Sequence, residues 1–128
     1  MRNGLLLFAH GARDPRWAQP FEEVARRIRA RAPAAAVELS FLEFMVPTLL
    51  EGGERLAAAG CDRVDVLPLF LGAGGHVRKD LPELLNELSA AHPGVQWRLQ
   101  RAIGEVEGVV EAMALAALAL TLASEASP

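Results

Sequence analysis

Short apolar runs alternate with amphipathic segments along the whole chain, and this alternation constrains the fold more than any other feature. The apolar runs cover residues 4–9, 36–42, 64–71 and 95–100, and a segment with helical spacing of apolar residues follows each one. Strands that alternate with helices build a parallel sheet with helices on both faces. The pattern therefore predicts an α/β fold with four parallel strands, for which the common doubly wound order is 2-1-3-4.

The predicted helices carry recognisable start and stop signals. The first predicted helix ends near residue 32, and the other three cover residues 47–59, 80–91 and 107–123. Within the first, Pro20 is expected to kink or restart the helix. Gly60 follows the second helix, where a left-handed C-terminal cap is expected. Asp80 is the predicted N-cap of the third.

The fourth predicted helix has almost no polar face. Its large apolar residues are Val110, Met113, Leu115, Leu118, Leu120 and Leu122. Exposed together on a monomer, they would form a larger apolar patch than soluble monomers usually carry. A helix that is apolar all round is usually buried, and a domain this small can bury it only against another subunit. We therefore expect a homodimer with C₂ symmetry.

Length, charge and cysteine content narrow the class of protein. A chain of 128 residues predicts one domain over residues 1–128, with residues 124–128 as a frayed tail. A net charge of -3 gives no basic surface for nucleic acid. The single cysteine, Cys61, excludes an intrachain disulfide and fits a reducing compartment. No apolar run is long enough for a signal peptide or a bilayer span, so we expect a cytoplasmic protein without a membrane partner.

Three potential ligands follow three predicted strands. His10 comes after the first strand, Glu43 after the second, and His76 after the glycines that end the third. Because the carboxyl ends of parallel strands meet at one edge of a sheet, these residues are expected to share a ligand-binding crevice. Neutral imidazoles there could hold a transition metal or transfer protons near neutral pH. The alternative for His10 is a satisfied histidine that only ends a strand, and the alternative for Glu43 and His76 is a solvated surface role.

Positive charge is concentrated beside the two histidines. The flanking cations are Arg13, Arg16, Arg78 and Lys79. Such a cluster suits carboxylate or phosphate groups. We assign Arg13, Arg78, Gly74 and Gly75 to substrate binding, although the glycines could equally serve a tight turn. The glycines do not match a dinucleotide-binding fingerprint, which requires G-x-G-x-x-G after a first strand.

At these residues the chain resembles the small sirohydrochlorin chelatases of the CbiX family, which are class II tetrapyrrole chelatases. The similar motifs, in the same order, are Leu-Phe-Ala-His10-Gly-Ala-Arg-Asp-Pro15, Phe41-Leu42-Glu43, Pro68-Leu-Phe-Leu-Gly72, Gly75-His76-Val and Asp80-Leu-Pro82. The resemblance runs from about residue 5 to residue 103. It implies a flavodoxin-like chelatase fold, a homodimer, and metal insertion into sirohydrochlorin for cobalamin or sirohaem biosynthesis.

The resemblance also implies that His10 and His76 are the active-site histidines. Metal insertion into a free-base tetrapyrrole requires two pyrrole N–H protons to leave while the metal sheds water. Imidazole can act as both base and weak ligand in such a step. The expected metal substrate is Co²⁺ in first place, with Fe²⁺ and Ni²⁺ as alternatives, and Glu43 is a third possible ligand. No organic cofactor is expected.

Two other functions stay open. A metal carrier or a tetrapyrrole-binding protein could keep this fold without turnover, since fold does not establish chemistry. Histidine phosphatases also place a His-Gly pair after a first strand. Their motif, however, has an arginine where this chain has Ala9, which argues against phosphate ester hydrolysis.

Overall fold

The fold is built on a four-stranded sheet. The computed structural model describes residues 2–72 and 74–122, and for His76 it describes the backbone alone. The strands are β1 (Asn3–Ala9), β2 (Ala36–Phe41), β3 (Arg63–Pro68) and β4 (Gln96–Leu99). They are parallel and lie in the order β2-β1-β3-β4. The predicted α/β class and strand order are confirmed.

The described residues form four α-helices, which connect and follow the strands. They are α1 (Gln19–Arg31), α2 (Leu49–Ala58), α3 (Gly75–Ala91) and α4 (Glu107–Leu120). A 3₁₀ helix, Pro15–Ala18, precedes α1, which starts one residue before Pro20. Gly60 has a φ of +85°, so the predicted left-handed position after α2 is confirmed. The predicted tail at residues 124–128 lies outside the described residues.

The predicted start of the third helix is wrong. α3 begins at Gly75 with Gly74 as its N-cap, and Asp80 lies inside the helix. Glycine has a low helix propensity, so the sequence favoured a loop here. Val77 and Leu81 are buried in the core, and this tertiary packing stabilises the extra turn. His76 and Arg78 are consequently residues of the first helical turn.

Two apolar clusters fix the helices to opposite faces of the sheet. Because successive side chains of a strand point to opposite faces, Leu6 and Phe8 of β1 join the cluster under α2 and α3. Leu7 and Ala9 join the cluster under α1. β2 and β4 are the edge strands, as predicted. The packing leaves the carboxyl ends of β1, β2 and β3 side by side at one edge of the sheet.

α4 lies outside both clusters. None of its residues is buried, and the six large apolar residues singled out from the sequence are all exposed, with Leu120 at 83%. The unpatterned apolar composition of this helix gives it no single face to dock on its own sheet. Among the described residues, each helix is either too short or too polar to span a bilayer.

Candidate functional site at the carboxyl edge of the sheet

His10 follows β1 and is held by an aromatic stack. Its ring stacks on that of Phe70, with centroids 4.1 Å apart and an interplanar angle of 28°. Phe70 is buried, and its carbonyl accepts a hydrogen bond of 2.9 Å from the Gly104 N–H. Because Phe70 is fixed in this way, it orients the exposed imidazole by packing. No described residue hydrogen-bonds to the ring nitrogens of His10, so they are available to a ligand.

The backbone brings Glu43 to His10. The Glu43 N–H donates to the His10 carbonyl at 3.0 Å, and the Leu42 N–H donates to the Ala9 carbonyl at 2.9 Å. Pairing between the first two strands thus continues past their ends into the site. Gly11 has a φ of +91°, and a Cβ at this position would lie 1.9 Å from the Glu43 carbonyl oxygen. Only a glycine permits this approach of the two segments.

The residue after Glu43 adopts an unusual conformation. Phe44 has a φ of 65°, a left-handed conformation that costs a non-glycine residue about 1–2 kcal/mol. Phe44 is 57% exposed, and the Arg13 guanidinium carbon lies 5.0 Å from the centroid of its ring. Sequence reasoning named Arg13 and missed Phe44. The available signal was an aromatic residue placed directly after a carboxylate at a strand end.

The other side of the site is the first turn of α3. His76 is the second residue of this helix, and its side chain lies outside the described part of the structure. The Arg78 N–H donates to the Gly74 carbonyl at 3.1 Å, which closes the first turn. A Cβ at Gly74 or Gly75 would meet no described atom within 4 Å. The backbone at these two glycines is therefore open to an approaching molecule.

The flanking arginines differ in their partners. Arg16 bonds to Asp14 at 2.8 Å, and this hydrogen bond holds the pKa of the Asp14 carboxyl below its usual value. Arg78 lies 3.7 Å from the Glu105 carboxylate. Arg13 has an aromatic neighbour, and no carboxylate pairs with it among the described residues. Of these three arginines, Arg13 is the one whose charge is left for a ligand.

Two clefts open beside the segments that carry His10 and Glu43. The α1-side cleft has a volume of about 550 Å³, and its lining includes Arg13, Phe44, Met45, Val46 and Pro47. The α3-side cleft has a volume of about 410 Å³, and its lining includes Phe8, Leu42, Thr48, Glu83, Leu84 and Glu87. Both volumes lie in the range of small-molecule sites. The first combines an apolar wall with a cation, and the second combines an apolar floor with carboxylates.

The described side chains do not form a closed metal site. No three histidine, cysteine, aspartate or glutamate side chains among them converge on one point, and the His76 imidazole is outside that set. An exposed imidazole next to a carboxylate-bearing residue gives few ligands and open coordination positions. A site with open positions can exchange its metal, whereas a four-ligand structural site retains it.

Comparison with known proteins gives a consistent result. Residues 4–117 match the family model CbiX. A sirohydrochlorin cobaltochelatase from Sulfurisphaera tokodaii is 32% identical over 84% of this chain and 85% of its own length. A sirohydrochlorin ferrochelatase from Bacillus subtilis is 29% identical over 88% of this chain, but the match covers 43% of that protein. Other cobaltochelatase relatives are matched over 56% to 62% of their length.

A solved structure matches the fold over nearly its whole length. The CbiX protein from Marinobacter aquaeolei VT8, whose structure is described as a putative cobalamin biosynthesis protein, superimposes with a TM-score of 0.78 at 34% identity. The match covers 90% of this chain and 93% of that chain. The similarity therefore extends over the sheet and the helices that carry the candidate site.

Proposed function

The chain belongs to the CbiX family, and from that premise we propose that it is a chelatase, a lyase that inserts a divalent metal ion into sirohydrochlorin. The observation that carries the proposal is the exposed imidazole of His10, which Phe70 orients at the carboxyl edge of the sheet. We propose Co²⁺ as the preferred metal substrate, because the Sulfurisphaera relative, which has a similar length, is a cobaltochelatase. Fe²⁺ is the alternative, supported by the name of the Bacillus relative.

The proposed reaction exchanges protons for a metal. A divalent ion that enters the free-base macrocycle displaces two pyrrole protons, so the product is the neutral-core metal complex and two protons are released. His10 and His76 act as bases for these protons and as weak ligands for the incoming ion, a pair of roles open to imidazole near neutral pH. Glu43, tied to His10 through the backbone, is the proposed third ligand.

Substrate binding is assigned to the groups around the histidines. Sirohydrochlorin carries many peripheral carboxylates, which arginine guanidinium groups bind well. Arg13, left without a carboxylate partner among the described residues, suits this role, and Arg78 would have to share its charge with Glu105. The open backbone at Gly74 and Gly75 allows the macrocycle to come close to α3.

Two copies of the chain are proposed to form the working unit. The exposed apolar surface of α4 is of the kind that marks subunit contacts. In this proposal each subunit is a single domain, and the homodimer works in the cytoplasm. Light scattering at micromolar concentration is expected to give twice the chain mass of 13.7 kDa. Leu115→Glu and Leu118→Glu should weaken this dimer, and an active monomer would contradict the assembly.

An anaerobic absorbance assay tests the proposed activity. Purified protein is mixed with sirohydrochlorin and with Co²⁺, Fe²⁺ or Ni²⁺ in turn, and the spectral change of metal insertion is followed against a protein-free reaction. Acceleration with at least one metal supports a chelatase. Binding of tetrapyrrole or metal without acceleration would instead favour the carrier. Hydrolysis of a generic phosphate ester would favour a phosphatase.

A further inference from the structure

Phe44 combines three features that its role in the fold does not explain. It is a large apolar residue that is 57% exposed. It holds a φ of 65°, a conformation that phenylalanine seldom adopts. It also stands next to Arg13, whose guanidinium carbon is 5.0 Å from the ring centroid. Strained, exposed residues of this kind concentrate at binding sites, where the surrounding structure maintains the strain.

The contacts that maintain this conformation also hold His10. The Glu43 carbonyl occupies the space beside Gly11 that a side chain would fill, and the Glu43 N–H bonds to the His10 carbonyl. The position of Phe44 is therefore fixed relative to the backbone of His10. The same loop contributes Met45, Val46 and Pro47 to the apolar wall of the α1-side cleft.

We propose that the Phe44 ring is a contact surface for the apolar ring system of the tetrapyrrole, and that it holds Arg13 in place for one of the peripheral carboxylates. This inference rests on the proposed function, because it presupposes a flat conjugated substrate with an acidic rim. A conjugated ring packs well against an aromatic side chain. A guanidinium that already lies over an aromatic ring keeps its charge available for a carboxylate.

The pairing of the two residues explains the specificity expected of such a site. A planar molecule without carboxylates would contact Phe44 and leave Arg13 unpaired. A small carboxylic acid would contact Arg13 and leave the phenylalanine exposed to water. A tetrapyrrole with carboxylates on its rim satisfies both residues at once. Phe44 is thus a binding and positioning residue, while proton transfer belongs to the histidines.

The test measures sirohydrochlorin binding and protein stability on the same variants. The dissociation constant is obtained by titration in the absence of metal, and the melting temperature is measured by calorimetry. Phe44→Ala is expected to weaken binding by about five- to tenfold through the lost ring contact. Phe44→Gly should weaken binding as much, yet leave the melting temperature equal or higher, because glycine adopts a positive φ without strain.

A tyrosine and a double variant separate binding from a merely structural role. Phe44→Tyr keeps the ring and should bind like the wild type. In the variant that combines Phe44→Ala with Arg13→Ala, the loss should be smaller than the product of the two single losses, since each residue supports the other. Val24→Ala, at a half-exposed apolar position on α1, is the matched control and should change neither quantity.

Each outcome decides between the two proposals. If the wild type inserts metal into sirohydrochlorin and both Phe44→Ala and Phe44→Gly bind it with unchanged affinity, the role of Phe44 is overturned and the chelatase proposal stands. If the wild type neither binds nor metallates sirohydrochlorin, both proposals are overturned. Weaker binding in both variants with a retained melting temperature supports the inference.

Discussion

The candidate site has two glycine-rich sides, and they are built in opposite ways. On the β1 side, a Cβ at Gly11 would lie 1.9 Å from the Glu43 carbonyl oxygen, so the two backbone segments leave no space for a side chain. On the α3 side, a Cβ at Gly74 or Gly75 would meet no described atom within 4 Å. One side therefore uses glycine to build the site, and the other side uses it to leave room. The variants below test this difference, starting with the largest expected effect.

Gly11→Ala should be the most damaging of these changes. The added methyl group collides with the backbone of Glu43, and alanine is strained at a φ of +91°. Overpacking and left-handed strain together predict a loss of about 2–5 kcal/mol in the free energy of unfolding. Metal insertion should fall as well, because the loop that carries Glu43 must move. Chemical denaturation and the insertion assay measure the two effects, and wild-type stability would show that the close approach is unimportant.

Removal of either histidine should affect the reaction more than the fold. His10→Ala and His76→Ala are each expected to slow metal insertion by about 10²-fold or more, the range for loss of a general base. His10→Ala also removes the stack on Phe70 and should lower stability slightly. Steady-state insertion rates are compared at equal folded protein, judged by circular dichroism. If both variants fold and keep the wild-type insertion rate, the assignment of the histidines to the active site is wrong.

Removal of Arg13, on the β1 side, should raise the KM for sirohydrochlorin more than removal of Arg78, on the α3 side. Arg13→Ala is expected to raise KM about tenfold with a smaller change in kcat, because a carboxylate contact is present in both the ground and transition states. Arg78→Ala should raise KM less, since Arg78 already lies 3.7 Å from Glu105. Glu105→Ala tests this explanation, because it removes the carboxylate that lies next to the Arg78 guanidinium. Equal effects of Arg13→Ala and Arg78→Ala on KM would contradict the ranking.

The sequence predicted the parts of the site that depend on topology. Because parallel strands end at one edge, the placement of His10 and Glu43 after two strands predicted that they lie at the same edge of the sheet, and the structure joins them there through the bond from the Glu43 N–H to the His10 carbonyl. The apolar run at residues 64–71 likewise predicted the third strand, which the structure places at Arg63–Pro68. These predictions needed only strand order and period.

The parts that were missed depend on tertiary contacts. Phe44 adopts its left-handed conformation and contacts Arg13 because the Glu43 segment packs closely against Gly11. No local sequence pattern encodes that close approach. The early start of α3 follows from the burial of Val77 and Leu81, whereas propensity at Gly75 argued for a loop. The composition of α4 predicted a helix that is buried against a second subunit, and on the single chain its large apolar residues are exposed. The identity of the surface that covers it is still a proposal.

Gly75→Ala should have the smallest effect and is the sharpest check on the open side. Gly75 is the first residue of α3, where alanine favours the helix by up to about 1 kcal/mol, and its Cβ would enter open space. The free energy of unfolding should therefore stay the same or rise, in contrast to Gly11→Ala. If the macrocycle comes close to this backbone, the new methyl group should raise KM a few-fold and leave the stability gain intact. A large loss of stability would mean that both glycines are structural, and an unchanged KM would remove Gly75 from the substrate-binding surface. Only a stable variant with weaker substrate binding fits a glycine kept for the approach of a ligand.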